Sequence, residues 1–372
     1  MFYPGQMVRL GQTTKSLFSF RIGHAILSLF DLASNGAEVR EERLETVCPS
    51  CHGPAGDERF RKRVEILAVS GHAARYYWCP RCHLIFQFPQ FQLAALSPAQ
   101  QTCEAVSQNP LGTGRLTGFL GRFYYRFARG WFFAEVLKRY KPDSYELPRN
   151  NSLSKKAKTE TGRLRARLLD VGAGIGLFCR IAGEWFETVG LEPSFDACQI
   201  GHRDLGVDCL VCGNIAPHLF REKFEIVTFW QTIEHISGSP REALLWAAKR
   251  LSPGGLLFLG EIPDFTSFEF SLFKGECRFL SSPLHNFLFS PRFFEETLRE
   301  AGFTEIRIRH DWRNYSLFSQ SLLGWLERRL GCMFPAKLML VLSVMIMPFV
   351  LVFNLFLARK GRSATFSVMA IR

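Results

Sequence analysis

The sequence predicts an α/β protein built on a mostly parallel sheet, with a small cysteine-bearing module ahead of it. Three observations carry this. From Leu168 onward, apolar runs of strand length alternate with stretches of helical period, the pattern of successive βαβ units. The first of those runs empties into a glycine-rich turn, Gly172-Ala173-Gly174-Ile175-Gly176. Two C-x-x-C pairs, Cys48/Cys51 and Cys79/Cys82, stand 27 residues apart near the start of the chain.

The predicted strands are Leu168–Val171, Thr188–Leu191, Asp208–Val211, Glu225–Phe229, Gly255–Gly260 and Glu305–Arg309, with helices over Phe178–Trp185, Phe195–Leu205, Arg241–Leu251 and Pro291–Ala301. Gly302 suits the C-cap of the last helix. Composition and periodicity divide the chain into five zones: an amphipathic segment over 1–46, the cysteine module over 47–89, a helical cap over 90–140, a Pro-, Asn- and Lys-bearing linker over 141–163, and the α/β domain from 164 to 372. The apolar stretch Ser16–Ser34 is broken by Arg21, His24 and Asp31, which reads as an amphipathic helix rather than a signal peptide.

At 372 residues the chain suggests two units plus appendages. Its net charge of +12 admits nucleic acid, anionic lipid or an acidic substrate as partner. The basic residues are dispersed among short clusters, Arg61-Lys62-Arg63, Lys155-Lys156 with Lys158, and Arg328-Arg329. No nucleic-acid module accompanies them, so solvated faces are expected and no nucleic-acid partner. The chain has 11 Cys, of which four form the two pairs and the rest are scattered. That fits a reducing, cytoplasmic setting.

The glycine turn carries the chemistry. An apolar strand ending in Asp170-Val171 runs into G-x-G-x-G, where the backbone can approach a ligand without interference from Cβ atoms. Glu192 closes the next strand, 22 residues after Asp170, placed for the two hydroxyls of a ribose. A dinucleotide fingerprint is G-x-G-x-x-G; here the third glycine comes one residue earlier.

With Asp170 ahead of the turn, this arrangement resembles motif I of class I S-adenosylmethionine-dependent methyltransferases. The resemblance continues through Cys212-Gly213-Asn214-Ile215, through Phe224-Glu225-Ile226-Val227 with Glu225 in place of the usual Asp, and through Gln231-Thr232-Ile233-Glu234-His235. It includes Leu251-Ser252-Pro253-Gly254-Gly255, Glu261-Ile262-Pro263-Asp264, and the segments His285-Asn286-Phe287-Leu288-Phe289-Ser290 and Ala301-Gly302-Phe303. The last two and the Glu-His pair resemble the group that modifies small molecules.

The resemblance implies a Rossmann-like sheet of seven strands, mostly parallel, whose last strand, Ala364–Ile371, enters antiparallel. It implies S-adenosylmethionine bound by Asp170, Gly172, Ala173, Gly174, Gly176, Glu192, Pro193, Gly213, Asn214 and Gln231. It places Glu234, His235 and His285 on the acceptor side, with a histidine as the candidate general base. Glu234 equally suits a cap for the helix starting near Pro240.

Two residues between cysteines let one knuckle offer both sulfurs to one tetrahedral Zn²⁺, so Cys48, Cys51, Cys79 and Cys82 form a candidate structural zinc site. Redox pairs or two disulfides are the other readings. Cys82-His83-Leu84-Ile85-Phe86-Gln87-Phe88-Pro89 resembles the N-terminal module of many bacterial methyltransferases.

Leu338–Ala358 is 21 residues without a charge, with Lys337 before it and Arg359, Lys360 and Arg362 after it. Its length would cross a bilayer core. A single crossing would put the flanking strands of one sheet on opposite sides of a membrane. An insertion over 317–358 that dips into one leaflet, bent at Pro348, is therefore expected, with a protein-buried helix as the other reading. The function expected is methyl transfer to a small-molecule, sugar-derived or lipid-linked acceptor, set against an RNA-binding zinc ribbon or RNA methyltransferase and a nucleotide-binding dehydrogenase.

Overall fold

The computed structural model of the chain describes residues 46–56, 58–62, 74–91, 129–140, 165–274, 277, 285–313, 315–331 and 336–372. The expected amphipathic segment Ser16–Ser34, the linker 141–163 and its lysine cluster, and most of the cap 90–140 lie outside those residues.

Eleven strands are described. Three belong to the cysteine module: β1 (Glu58–Lys62), β2 (Ala74–Cys79) and β3 (Leu84–Phe88). The others are β4 (Arg167–Val171), β5 (Glu187–Glu192), β6 (Leu210–Cys212), β7 (Phe224–Trp230), β8 (Leu251–Pro263), β9 (Phe287–Phe289), β10 (Glu305–Asp311) and β11 (Thr365–Ile371). The helices are α1 (Gly130–Arg139), α2 (Leu177–Ala182), α3 (Phe195–Ile200), α4 (Pro240–Arg250), α5 (Phe268–Phe273), α6 (Pro291–Glu300), α7 (Tyr315–Leu330) and α8 (Ala336–Arg359).

Seven strands form one sheet in the order β10-β11-β8-β7-β4-β5-β6. β4, β5, β6, β7 and β8 run parallel, and β11 enters antiparallel between β8 and β10. Alternation along the strands sorts the faces, as expected for a sheet covered on both sides. Leu168, Ile226, Phe258 and Met369 meet Phe132, Phe133 and Val136 of α1 and Phe178 and Ile181 of α2. Leu169, Val227, Leu257 and Val368 meet Leu244 and Ala247 of α4 and Phe293, Phe294 and Leu298 of α6.

Two helices end or change form earlier than periodicity alone suggests. α2 stops at Ala182 because Gly183 caps it, and the stretch after α3 continues to Leu205 as a π-turn, Gly201–Leu205. Strand β8 is longer than expected: Leu251-Ser252-Pro253-Gly254-Gly255 is an irregularity inside it, where Phe224 pairs with Leu251 and Ile226 with Leu256.

The cysteine module is continuous with the α/β domain. β3 pairs antiparallel with β9, Leu84 opposite Phe289 and Phe86 opposite Phe287, so a four-stranded sheet β1-β2-β3-β9 lies beside the larger one. Cys48, Cys79, Leu84 and Phe86 are buried in the same core as Val227, Phe293 and Phe366.

Helices α7 and α8 lie between β10 and β11 in sequence, where the insertion is expected. α8 runs through Pro348. Val350, Asn354 and Leu357 are buried, while Val341, Met345, Phe349, Val352 and Phe356 are exposed. Among the described residues no helix is long and apolar enough to cross a membrane.

Candidate active site

The parallel strands change direction of succession at β4: β5 and β6 follow on one side, β7 on the other. Ligands of open α/β sheets bind outside the carboxyl ends of the strands at such a point. Here those ends carry the glycine turn after β4 and Gln231-Thr232 after β7.

Gly172, Gly174 and Gly176 have φ of +75°, +56° and +77°, the left-handed region that only glycine enters without strain. The turn is also crowded. A Cβ on Gly172 would stand 2.3 Å from Thr232 Cγ2, and one on Gly176 would stand 2.8 Å from Val207 Cγ1. The amides of Gly172 and Ala173 both donate to the Leu191 carbonyl, which anchors the turn to β5.

Glu192 closes β5 and is buried. Its Oε2 accepts from the Gly174 amide at 2.8 Å and its Oε1 from the Ser194 amide at 2.9 Å. Burial pushes its pKa up, and the two amides oppose that shift. Each carboxylate oxygen keeps an acceptor position beyond the amide it holds, which is what two ribose hydroxyls require.

Asp170 is buried, with Oδ1 accepting from Thr228 Oγ1 at 2.7 Å. Burial pushes its pKa up to about 7, partly offset by Thr228 and the Arg129 charge. The Arg129 guanidinium lies 3.9 Å from the Trp230 ring centroid and 4.9 Å from that of Phe178. It caps the face of the sheet on which Asp170 lies, and sequence reasoning had not singled it out. Gly213 follows β6 and its amide donates to the Glu192 carbonyl; Asn214 and Pro193 are exposed. Gln231 has φ +48° and its amide donates to the Gly260 carbonyl.

Glu234, His235 and His285 come together: one ligand atom from each lies within 4.8 Å of the others. The two imidazole rings are 4.7 Å apart between centroids. Glu234 is 1% exposed. Burial, with the Glu261 charge adding to it, pushes its pKa up to about 8. Glu234 does not cap α4; Ser239 does, its Oγ accepting from the Glu242 amide. Asn286, in the quoted His285–Ser290 segment but not expected as a site residue, joins these elements. Its Oδ1 accepts from the Phe91 amide at 2.7 Å, and its Nδ2 donates to the carbonyls of Phe91, His235 and Ile236.

The four cysteine sulfurs also converge within 4.8 Å. Cys51 Sγ and Cys79 Sγ are 3.7 Å apart, and the Cys82 amide points at Cys79 Sγ at 3.4 Å. The knuckles match: His52 and His83, each just after the second cysteine, have φ of +55° and +53°, and their amides donate to the carbonyls of Cys48 and Cys79.

At β8 and β10, a shallow cleft is lined by Trp131, Glu261, Arg309, Asp311, Trp312 and Arg313 among others. Asp311 accepts from Ser367 Oγ, and burial pushes its pKa up to about 7.

Residues 145–308 match a family model described as a methyltransferase domain. No curated protein matches the chain. Among solved structures, an S-adenosylmethionine-dependent methyltransferase from Thermotoga maritima is 18% identical over 67% of this chain and 97% of its own, with a TM-score of 0.35. A cyclopropane synthase from Mycobacterium tuberculosis is 17% identical over 56% of this chain and 77% of its own, TM-score 0.36. A phosphoethanolamine N-methyltransferase from Haemonchus contortus is 16% identical over 77% of this chain and 62% of its own, TM-score 0.39. The segment that matches the methyltransferase-domain model, residues 145–308, contains the glycine turn and Glu192 together.

Proposed function

We propose that this chain transfers the methyl group of S-adenosylmethionine to a small-molecule, sugar-derived or lipid-linked acceptor. The observation that carries the reading is the clasp between Glu192 and the amides of Gly174 and Ser194. It fixes a carboxylate where a ribose would lie and holds the turn open for the cofactor. The sulfonium makes its methyl carbon electrophilic, so this chain's own work is to align the acceptor and exclude water. His235 and His285 stand on the acceptor side, and either imidazole can take a proton from an attacking hydroxyl.

The four cysteines suit one structural Zn²⁺. Sulfurs held 2.3 Å from a tetrahedral zinc lie about 3.8 Å apart, close to the 3.7 Å between Cys51 and Cys79. The bound ion would fasten β2 and β3 and, through β9 and Asn286, the loop bearing His235.

The exposed stripe Val341, Met345, Phe349, Val352 and Phe356 on α8, beside exposed Arg359, Lys360 and Arg362, supports contact with an anionic lipid surface. Such contact favours an acceptor drawn from a membrane. The direct test is to incubate the chain and labelled S-adenosylmethionine with extracts of small polar metabolites and, separately, of lipids. Label is expected in a product from one fraction. No transfer to either, with cofactor binding intact, would refute the acceptor classes named. Flotation with anionic vesicles is expected to carry the chain upward, and Phe349→Asp with Phe356→Asp to abolish this.

A further inference from the structure

The described residues hold a second set of metal-type donors, separate from the cysteines. Glu234 and His235 lie within the loop that follows β7, and His285 comes from the segment leading into β9. Their donor atoms lie within 4.8 Å of one another. Around one divalent ion, donors at about 2.0–2.2 Å stand about 3–3.5 Å apart, so modest side-chain rotation closes the set.

A second observation points to a cation. Glu234 is 1% exposed, and its Oε2 has no hydrogen-bond partner among the described residues. A buried carboxylate oxygen without a donor is costly. A bound cation removes that cost.

The backbone beneath two of the donors is fixed: the Phe287 amide donates to the Glu234 carbonyl at 3.1 Å, the His235 amide to the Thr232 carbonyl at 3.0 Å, and Asn286 Nδ2 to the His235 carbonyl at 3.2 Å. The site also adjoins the cofactor turn, since Thr232 stands against Gly172.

We propose that Glu234, His235 and His285 bind a divalent transition-metal ion, and that its open coordination positions receive a hydroxyl of the methyl acceptor. Two histidines and one carboxylate suit such an ion and leave positions for substrate. This rests on the methyl-transfer reading above. A hydroxyl is acidified by the ion and gives its proton to the buffer as it binds, before the transfer step from which water is excluded. Its oxygen then forms a bond to the methyl carbon while the carbon–sulfur bond breaks, the electron pair passing to sulfur. The products are the methyl ether and S-adenosylhomocysteine. His235 and His285 serve as ligands in this scheme, and no protein base is required.

The test loads the full chain with Co²⁺, removes excess by gel filtration and reads cobalt content and absorption. The wild type is expected to retain about two ions per chain, one giving strong sulfur-to-cobalt bands and one only the weak bands of nitrogen and oxygen donors. His235→Ala with His285→Ala is expected to retain about one, with the sulfur bands unchanged, and Glu234→Gln to bind the second ion at least about tenfold more weakly. A wild type without an ion showing the nitrogen- and oxygen-donor bands, or a double variant that keeps that ion, would overturn the proposal. The wild-type count stands even if a variant fails to fold. Calorimetry with S-adenosylmethionine on the same samples separates the two readings. Cofactor binding without a second ion refutes the metal site alone, and a second ion without cofactor binding refutes methyl transfer alone.

Discussion

Glu192 Oε2 accepts a hydrogen bond from the amide of Gly174 at 2.8 Å, so the acid that closes one strand holds the turn that follows its neighbour. The two features that mark the cofactor site in sequence, 18 residues apart, are one mechanical unit. The acid shapes the turn before any ligand arrives, and its further acceptor positions are those that the proposed reading gives to the ribose.

Gly172→Ala tests that unit from the other side. The new methyl would need φ near +75° and would lie 2.3 Å from Thr232 Cγ2. The left-handed backbone alone costs about 1–2 kcal/mol, and the overlap adds to it. We expect a melting temperature several degrees lower and cofactor affinity reduced at least about tenfold. Gly206→Ala is the control, since its φ is +62° but nothing lies within 4 Å of an added Cβ; it should cost stability without loss of cofactor affinity.

Asn286→Ala tests the seam between the cysteine module and the catalytic domain. It removes four hydrogen bonds and leaves the amide and carbonyl of Phe91 without their side-chain partner. Unsatisfied buried groups cost about 1–3 kcal/mol each, so denaturant unfolding should show a loss of about 2–4 kcal/mol. Hydrogen exchange should speed up around His235 and Ile236 as well as Phe91.

With zinc bound as proposed, its removal should act at a distance through the same seam. Chelation is then expected to raise hydrogen exchange in β3 and, through its pairing with β9, at Phe287–Phe289. Exchange confined to the cysteine knuckles would contradict this coupling.

Glu269 supplies a pH-dependent prediction. It is 1% exposed on α5, accepts from Ser321 Oγ of α7 at 2.6 Å, and its Oε2 has no hydrogen-bond partner among the described residues. Burial pushes its pKa from 4.5 up to about 7. Between those values the folded chain holds the proton more tightly than the unfolded chain, so this group withdraws stability as pH rises through the window. Glu269→Gln keeps the Ser321 contact and loses the titration. Its melting temperature relative to wild type should rise by a few degrees from pH 4.5 to pH 8, and a constant difference would contradict the assignment.

The sheet was legible because strand and helix periods alternate cleanly from Leu168 and because glycines stand where φ is positive. All six strands expected by periodicity, and the terminal strand expected by resemblance, are present with ends shifted by a few residues. The cofactor turn was legible because backbone constraint leaves a mark in residue type. What escaped depends on long-range pairing. Nothing in Leu84–Phe88 says that it will pair with Phe287–Phe289, some two hundred residues later, so the seam at Asn286 was invisible. Arg129 was equally hidden: it lies in a basic, aromatic stretch, and only the fold sets it over Trp230. The convergence of Glu234, His235 and His285 was expected by resemblance, but the absence of a partner on Glu234 Oε2 is a property of packing alone.

Calorimetric titration of S-adenosylmethionine into the full chain, wild type against Glu192→Ala, tests the central claim most directly. Saturable one-to-one binding is expected for the wild type. The variant should bind about a hundredfold more weakly, reflecting two lost charge-assisted hydrogen bonds to the ribose and a turn no longer held at Gly174. Equal affinity in the two proteins, or no binding to the wild type, would contradict the account.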